Sequence, residues 1–325
     1  MKGIMGTEPM ASITSKEGQW HTLFTTQSLL AACLLLGLPL STEARNQPPA
    51  PKQWKVVERG PHHRVLESDD PLDLGMGGVE HLRPSFVELA SGLNYFDRGR
   101  WRESKEEFVL LTDGRAVARQ GQHRVIISPV LNDSRGAVLL LTPDGKVMRS
   151  TILGLSLRDR VTGEQLLIAE VVKTVGKRVS ENQILFQDCF DDIRADVRFT
   201  YERGGFHQDV ILRQRLSPSW LEQNGFSPET SHLEVWTEFL EVPTPRVRRR
   251  IISRVNDPSL RKLLAVPDVI EEDLDFGVMK MHMGKAFAKG VRRKQEQTAS
   301  MPKRWLTIQG RQFLVESISL FDLET

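Results

Sequence analysis

The feature that most constrains the fold is a succession of short apolar runs that begins after Pro84. Each run has the length of a β-strand, and turn-forming pairs such as Asp113-Gly114 and Gly204-Gly205 separate several of them. Glycine in these pairs supplies the positive φ that tight hairpin turns require. The pattern predicts a mainly β fold, an antiparallel β-sandwich with a few short helices. The runs are Phe86–Leu89, Glu107–Leu111, Arg124–Ser128, Ala137–Leu141, Val147–Leu153, Gln165–Lys173, Gln183–Phe186, Ala195–Tyr201 and His207–Leu212.

The clearest hairpin lies in Ala195–Leu212. Val197, Phe199 and Tyr201 alternate with polar residues, so all three are expected on the same face of one strand. Gly204-Gly205 then provides the turn into the second strand. The segment therefore predicts a hairpin whose first strand presents an apolar face to the core.

Two short helices interrupt the strand pattern. Ser217 and Asp257 each precede a proline, and this order is typical of a helix N-cap followed by the first helical residue. Further strands are expected at Leu233–Leu240 and in the C-terminal hairpin Trp305–Leu320. The helices are thus expected as short connections between strands.

The N-terminus has the pattern of an export signal. Lys2 and Lys16 precede the apolar run Leu29–Leu40, which is shorter than the roughly 20 residues that span a bilayer. Thr42 and Ala44 place small residues where a signal peptidase requires them. Residues 1–44 are therefore predicted to be a removable signal peptide, and the mature protein is expected to be secreted, periplasmic or at the cell surface.

Two alternatives to this interpretation stay open. The apolar run could be an uncleaved anchor, although its length is short for one. Leu30-Ala31-Ala32-Cys33 also matches the sequence that precedes a lipid-modified cysteine, so the chain could be lipid-anchored through Cys33. The apolar run continues beyond Cys33, which favours an ordinary signal peptide.

The remaining chain divides by composition. Residues 45–83 are rich in proline and glycine and predict an irregular linker, and 84–325 predict the β-sandwich domain, with 254–325 as a sub-region that closes the sheet. The net charge of +2 does not indicate a nucleic-acid partner. After signal removal Cys189 is the only cysteine, so it is expected to be a buried small apolar residue.

Two groups of residues could hold a metal ion. Asp188, Asp191, Asp192 and Asp196 carry the oxygen ligands that calcium prefers, but their spacing matches no calcium loop, so a turn is the favoured interpretation. Met279–Met283 alternates thioethers with Lys280 and His282. This could bind copper, but it is also the pattern of one strand face packed on a core. No catalytic residue, cofactor or metal ligand is assigned.

Other polar and aromatic patterns concern binding. Arg246, Arg248, Arg249, Arg250 and Arg254 form a basic run that indicates a solvated face or a docking site. Glu234 and Glu238 are expected on one solvated strand face, and sugar-binding platforms would use exposed aromatic rings. The candidates for such rings are Tyr95, Trp101 and Trp236.

Three segments resemble uncharacterised β-rich N-terminal regions of large exported bacterial proteins, some of which precede YD-type, RHS-like repeats. The segments are Ala116–His123, Ala195–Leu212 and Lys303–Glu316. The resemblance covers roughly residues 84–322 and includes no catalytic motif. It implies a module of the cell envelope or extracellular space and transfers no functional residue.

Together these patterns predict an exported structural or protein-interaction module without a catalytic motif, whose partner is a protein or a polysaccharide. A protein-binding module requires an exposed apolar patch or a free sheet edge. A carbohydrate-binding or carbohydrate-active sandwich, the alternative, requires an exposed Trp or Tyr beside paired carboxylates. A periplasmic metal-binding protein requires one of the two metal candidates to converge.

Export can be tested at the N-terminus of the mature protein. We expect the exported chain to begin at Arg45, as measured by N-terminal sequencing and intact mass. Ala44→Tyr should block this cleavage, because the peptidase requires a small residue there. An exported chain that retains residues 1–44 would contradict the prediction, and a lipid-modified start at Cys33 would establish the alternative.

Overall fold

The structure is a computed structural model that describes residues 12–13, 53–68, 83–287 and 298–324. Apart from Ser12–Ile13, the predicted signal segment 1–44 and Cys33 lie outside the described residues. The chain forms two compact units. Among the described residues, the larger comprises 12–13, Arg59–His63, 89–287 and 298–324, and the smaller comprises 53–58, 64–68 and 83–88.

Strands make up most of the ordered backbone. In chain order, the first twelve are β1 Ser12–Ile13, β2 Trp54–Arg59, β3 His63–Ser68, β4 Ser85–Leu89, β5 Asn94–Asp97, β6 Arg100–Glu103, β7 Val109–Leu110, β8 Ala116–Ala118, β9 Arg124–Ile127, β10 Val138–Leu141, β11 Val147–Asp159 and β12 Gln165–Glu170. The next twelve are β13 Lys177–Ser180, β14 Gln183–Phe186, β15 Ala195–Glu202, β16 Gly205–Leu212, β17 Ser231–Glu241, β18 Arg246–Arg254, β19 Asp268–Asp275, β20 Lys280–Met281, β21 Gly284–Phe287, β22 Thr298–Met301, β23 Lys303–Ile308 and β24 Arg311–Ser319.

The helices within the described ranges are short, as predicted. They are α1 Pro218–Gln223, α2 Pro258–Leu263 and α3 Leu320–Glu324. Asp257 caps α2, because its carboxylate accepts hydrogen bonds from the backbone N–H of Ser259 (2.7 Å) and Leu260 (3.2 Å). Ser217 occupies the N-cap position of α1, as predicted, but its side chain makes no hydrogen bond that caps the helix.

Two large antiparallel sheets carry the fold of the larger unit. One has nine strands in the order β23-β24-β17-β11-β10-β9-β8-β7, with β12 paired to β11 beside this path. The other has seven strands in the order β13-β14-β15-β16-β1-β21-β22. The prediction of a mainly β, antiparallel fold is confirmed.

The core lies between the inner faces of these sheets. Val197, Phe199 and Tyr201 of β15 are fully buried and belong to one apolar cluster with Leu233 and Val235 of β17. The β15–β16 hairpin pairs Ala195 with Leu212 through Glu202 with Gly205, so the predicted hairpin and its apolar face are confirmed. One polar contact also joins the sheets, since Gln208 donates to the Thr237 hydroxyl at 2.9 Å.

The segment expected to be an irregular linker contains two strands. β2 and β3 fall within 45–83 and form a three-stranded sheet with β4, which corrects the expectation for those residues. Residues 45–52 and 69–82 lie outside the described residues. Val56-Val57 in β2 and Val65-Leu66 in β3 favour an extended backbone. No residue of β2 is fully buried. The small unit packs Trp54 against Phe86, with ring centroids 4.7 Å apart.

The backbone of Ser12–Ile13 has a defined place in the seven-stranded sheet. It forms β1, which pairs with Ile211 of β16 on one side and with Ala286 and Phe287 of β21 on the other. Cleavage after Ala44 would therefore remove the strand that joins β16 to β21. Among the helices that the structure describes, none has the length and apolar content needed to cross a membrane.

Candidate functional site

The carboxylates of Asp191 and Asp196, in the acidic group Asp188–Asp196, are engaged in hydrogen bonds to the backbone and to an arginine. Asp196 is buried and paired with Arg213, whose Nε donates to it at 2.7 Å, and it also accepts the backbone N–H of Asp188 at 2.8 Å. Asp191 accepts the backbone N–H groups of Glu170 and Asp192, both at 2.8 Å. Over the described ranges, no three His, Cys, Asp or Glu side chains gather as a metal site.

Only Lys280–Met281 of the methionine-rich segment is a strand, so the expected continuous strand face is not formed. Met279, Met281 and Met283 are half-buried and Lys280 and His282 are exposed, which agrees with the predicted alternation. Met279 and Met281 pack against the core cluster, as expected of methionine that fills a core. Cys189 is likewise buried, as expected, and burial raises the pKa of its thiol to about 12, so the thiol stays protonated.

Glu234 and Glu238 are buried, and the prediction of a solvated face was wrong for both. Glu234 accepts hydrogen bonds from Arg304 Nη2 (2.7 Å), Gln165 Nε2 (2.8 Å) and Ser156 Oγ (3.2 Å). Both carboxylate oxygens of Glu238 accept from one guanidinium at 2.6 Å. Arg304 of β23 and Arg311 of β24 allow this burial, because they neutralise the carboxylates. The positions of these arginines beside the two glutamates depend on the order of the strands in the sheet. The alternation of polar and apolar residues along one strand does not determine that order.

The three aromatic residues considered as sugar platforms are all half-buried: Tyr95, Trp101 and Trp236. Trp236 lies on the same face as the two buried glutamates, but its Nε1 donates to Ser156 Oγ at 2.9 Å and its ring contacts Phe313 edge-on. These contacts orient the indole within the sheet. None of the three rings forms an exposed platform.

The basic run forms a strand whose nine residues are all exposed. It is β18, which lies at one end of a three-stranded sheet with the order β18-β19-β20. An edge strand directs the backbone N–H and C=O groups of one side away from its sheet. Among the strands that the structure describes, none pairs with the other side of β18, so the strand is a sheet edge that carries the five arginines.

Acidic residues of β19 lie directly opposite these arginines. Arg246, Arg248 and Arg250 share one face of β18, and the register places each of them against an acid. The opposed pairs are Arg246 with Asp275, Arg248 with Asp273 and Arg250 with Glu271. On the other face, Arg249 Nε contacts Glu272 Oε1 at 2.7 Å. The β18–β19 pair is thus a cross-strand ladder of opposite charges.

The second face of β18 adds an apolar surface. Val247 and Ile251 lie on this face, and Ile251 lies opposite Ile270 of β19. The strand register shifts between Ile251 and Ser253, and Ile252 lies at this irregularity. These four apolar side chains are between 37% and 46% exposed. Since isolated exposed apolar residues are common, the relevant point is their proximity to a free strand edge.

β19 is held against the nine-stranded sheet by two glutamates. β23 is the last strand of that sheet, and the N–H groups of Lys303 and Trp305 lie on the same side of the strand, two residues apart. Glu271 accepts a hydrogen bond from the Lys303 N–H at 2.8 Å, and Glu272 accepts one from the Trp305 N–H at 2.6 Å. These carboxylates satisfy backbone donors that would otherwise be buried without partners.

A buried ion pair completes this anchor. Lys303 Nζ donates to Glu271, and both side chains are almost completely buried. Glu316 of β24 lies directly opposite Lys303 in the sheet. Burial and the charges of Glu271 and Asp209 raise the pKa of Glu316 to about 7, while Lys303 lowers it. The base of the candidate site therefore contains linked buried charges.

The arginine run is recognisable in the sequence, but the residues of β19 and β23 that hold its strand in place were not predicted. Lys303, Glu271 and Glu272 were not singled out, because a buried ion pair between distant segments leaves no periodic signal. The alternation of acids with Ile270 and Leu274 is a signal in the sequence from which β19 could be predicted. The only sequence signal for the pairing of β19 with β18 is the opposite charge of the two segments.

We compared the chain with models of protein families, with curated proteins and with solved structures, and none of the three comparisons returned a match. The resemblance to β-rich regions of exported bacterial proteins therefore stays a prediction. The function of the chain is therefore inferred from the geometry of β18 and the residues around it.

The anchor predicts a large effect of breaking the buried pair. Lys303→Met should lower the free energy of unfolding by about 3–5 kcal/mol, because the Glu271 carboxylate would stay buried without its cation. Arg250→Met, which breaks a solvent-exposed pair with Asp273, should cost less than about 1 kcal/mol. Denaturant unfolding of both variants measures the difference, and equal losses would contradict the role of the anchor.

Glu316 predicts a pH dependence. Its folded pKa of about 7 lies above the ordinary 4.5, so between these values the folded state binds more protons than the unfolded state. The stability contributed by this group is present below pH 4.5 and is lost as the pH rises through 7. Unfolding of wild type and Glu316→Gln at pH 5 and pH 8 should show a smaller loss in the variant.

A matched control separates this effect from general charge changes. Glu241→Gln removes an exposed carboxylate and should leave the pH dependence of stability as in wild type. If Glu316→Gln and wild type lose the same stability between pH 5 and pH 8, the raised pKa of Glu316 is contradicted.

Proposed function

We propose that this chain is an exported β-sandwich module of the cell envelope or extracellular space, which binds a partner protein along the edge strand β18. The observation that carries the proposal is the exposure of all nine residues of β18 at a sheet edge. Extended segments of partner proteins can add a strand to such an edge, using main-chain hydrogen bonds for affinity.

The charges on β18 are compatible with selective binding. Charged residues on an edge strand oppose pairing with arbitrary strands, and proteins use them to avoid aggregation. The same arginines would favour a partner of complementary charge. A basic edge beside exposed Val247, Ile251, Ile252 and Ile270 thus supports a recognition surface that excludes most other strands.

The carbohydrate alternative receives less support. It requires exposed aromatic rings beside paired carboxylates, whereas Trp236 is half-buried and Glu234 and Glu238 are bound by arginines. A carboxylate in a bidentate arginine pair is already neutralised and is poorly suited to contact sugar hydroxyls. The geometry around β18 therefore supports protein binding better than carbohydrate binding.

Site-specific photo-crosslinking in intact cells tests the proposed function. A photo-reactive residue at Arg248 should yield a discrete adduct, which mass spectrometry identifies as a protein. The matched control places the same residue at Arg135, an arginine on another strand connection whose side chain is 85% exposed. Adducts of equal yield at both positions, or none at Arg248, would contradict binding at β18.

A further inference from the structure

We propose that the partner presents a short extended segment with acidic side chains on one face and apolar side chains flanking one acid on the other, and that this segment pairs with the open edge of β18. The inference rests on the proposed function and specifies the chemistry of the partner. It is carried by the strand that already occupies the opposite edge of β18.

β19 provides the template for the partner. Its acids Glu271, Asp273 and Asp275 stand at alternate positions, and each lies opposite one of the arginines on the same face of β18. In a sheet, a side chain contacts its cross-strand neighbours on both sides. A second strand on the open edge would therefore meet the same three arginines as β19 does.

The arginines retain capacity for further acidic partners. Arg250 contacts Asp273 at 3.6 Å, whereas Arg246 and Arg248 make no ion pair with any residue that the structure describes. Asp275 instead contacts Lys280 at 3.9 Å. Each guanidinium offers several donors in a planar fork, so an incoming carboxylate can be bound without displacing β19.

The second face defines the apolar half of the segment. β19 places Ile270 opposite Ile251 and Leu274 opposite Val247, with Glu272 opposite Arg249 between these two apolar pairs. Leu274 is buried, while Ile251 and Val247 are 46% and 38% exposed. Apolar side chains at the positions between the acids would cover this surface, and burial of apolar area favours association.

The strand itself limits the length of the segment. The β18–β19 register is continuous from Arg246 to Ile251 and then shifts before Ser253. Such an irregularity twists a strand and interrupts regular pairing. The partner segment is therefore expected to pair along Arg246–Ile251, with acids at the positions that meet the arginines and apolar residues at the positions that meet Val247 and Ile251.

Synthetic peptides test the inference directly against the full chain. The first peptide has the sequence of β19, DVIEEDLD, and carries a fluorophore. The second replaces each acid by its amide, and the third keeps the composition but scrambles the alternation. Fluorescence anisotropy should show that the acidic alternating peptide binds roughly tenfold more tightly than either of the others, since three exposed ion pairs contribute about that factor.

Variants locate the binding to β18. Arg246→Ser combined with Arg248→Ser should weaken the acidic peptide roughly tenfold, and Ile251→Ser should weaken both charged and amide peptides. The matched control combines Arg115→Ser with Arg135→Ser, two exposed arginines away from β18, and should leave binding unchanged. Circular dichroism and thermal melting confirm that each variant is folded.

The outcomes separate this inference from the proposed function. Equal binding of acidic and amide peptides, lost in Ile251→Ser, would overturn the acidic specificity and leave edge binding in place. No peptide binding combined with no crosslink at Arg248 would overturn both. Polygalacturonate that competes fully, with no sensitivity to Ile251→Ser, would assign the arginines to an anionic polysaccharide. A concentration-dependent dimer abolished by the arginine variants would assign the edge to a second copy of this chain.

Discussion

The buried pair of Lys303 and Glu271 determines how the small sheet attaches to the sandwich. Both groups are almost completely removed from water, so each would be unfavourable without the other. Glu271 also accepts the backbone N–H of Lys303, and Glu272 accepts that of Trp305. Side chains of β19 thus complete the hydrogen bonding of β23, and this contact leaves β18 as the outermost strand.

This arrangement connects stability to recognition. β18 has no fully buried residue of its own, so its position depends on the ladder it makes with β19. Glu271 and Glu272, at the centre of β19, hold that strand against β23. A strand held by its neighbour rather than by burial can keep all its side chains accessible, which is the property that a binding edge requires.

The main sheets followed from local patterns, because turn pairs and alternation are encoded within a few residues. The β15–β16 hairpin and the α2 cap Asp257 illustrate this. Patterns failed where burial depends on a distant partner. Glu234 and Glu238 look like a polar face, but Arg304 and Arg311 lie beside them only after β17 pairs with β24, which in turn pairs with β23. β2 and β3 were missed because exposed strands need few apolar residues.

Local sequence patterns are sufficient to predict that the chain is mainly β, that it has strand-length segments joined by glycine turns, and that it carries a basic run. These properties depend on backbone preference and alternation, which act over short distances. The folded chain was needed to show that the basic run is an edge strand, that acids oppose it, and that Lys303 is buried against Glu271. Those properties depend on which segments become neighbours, and strand order arises from the packing of the whole sandwich.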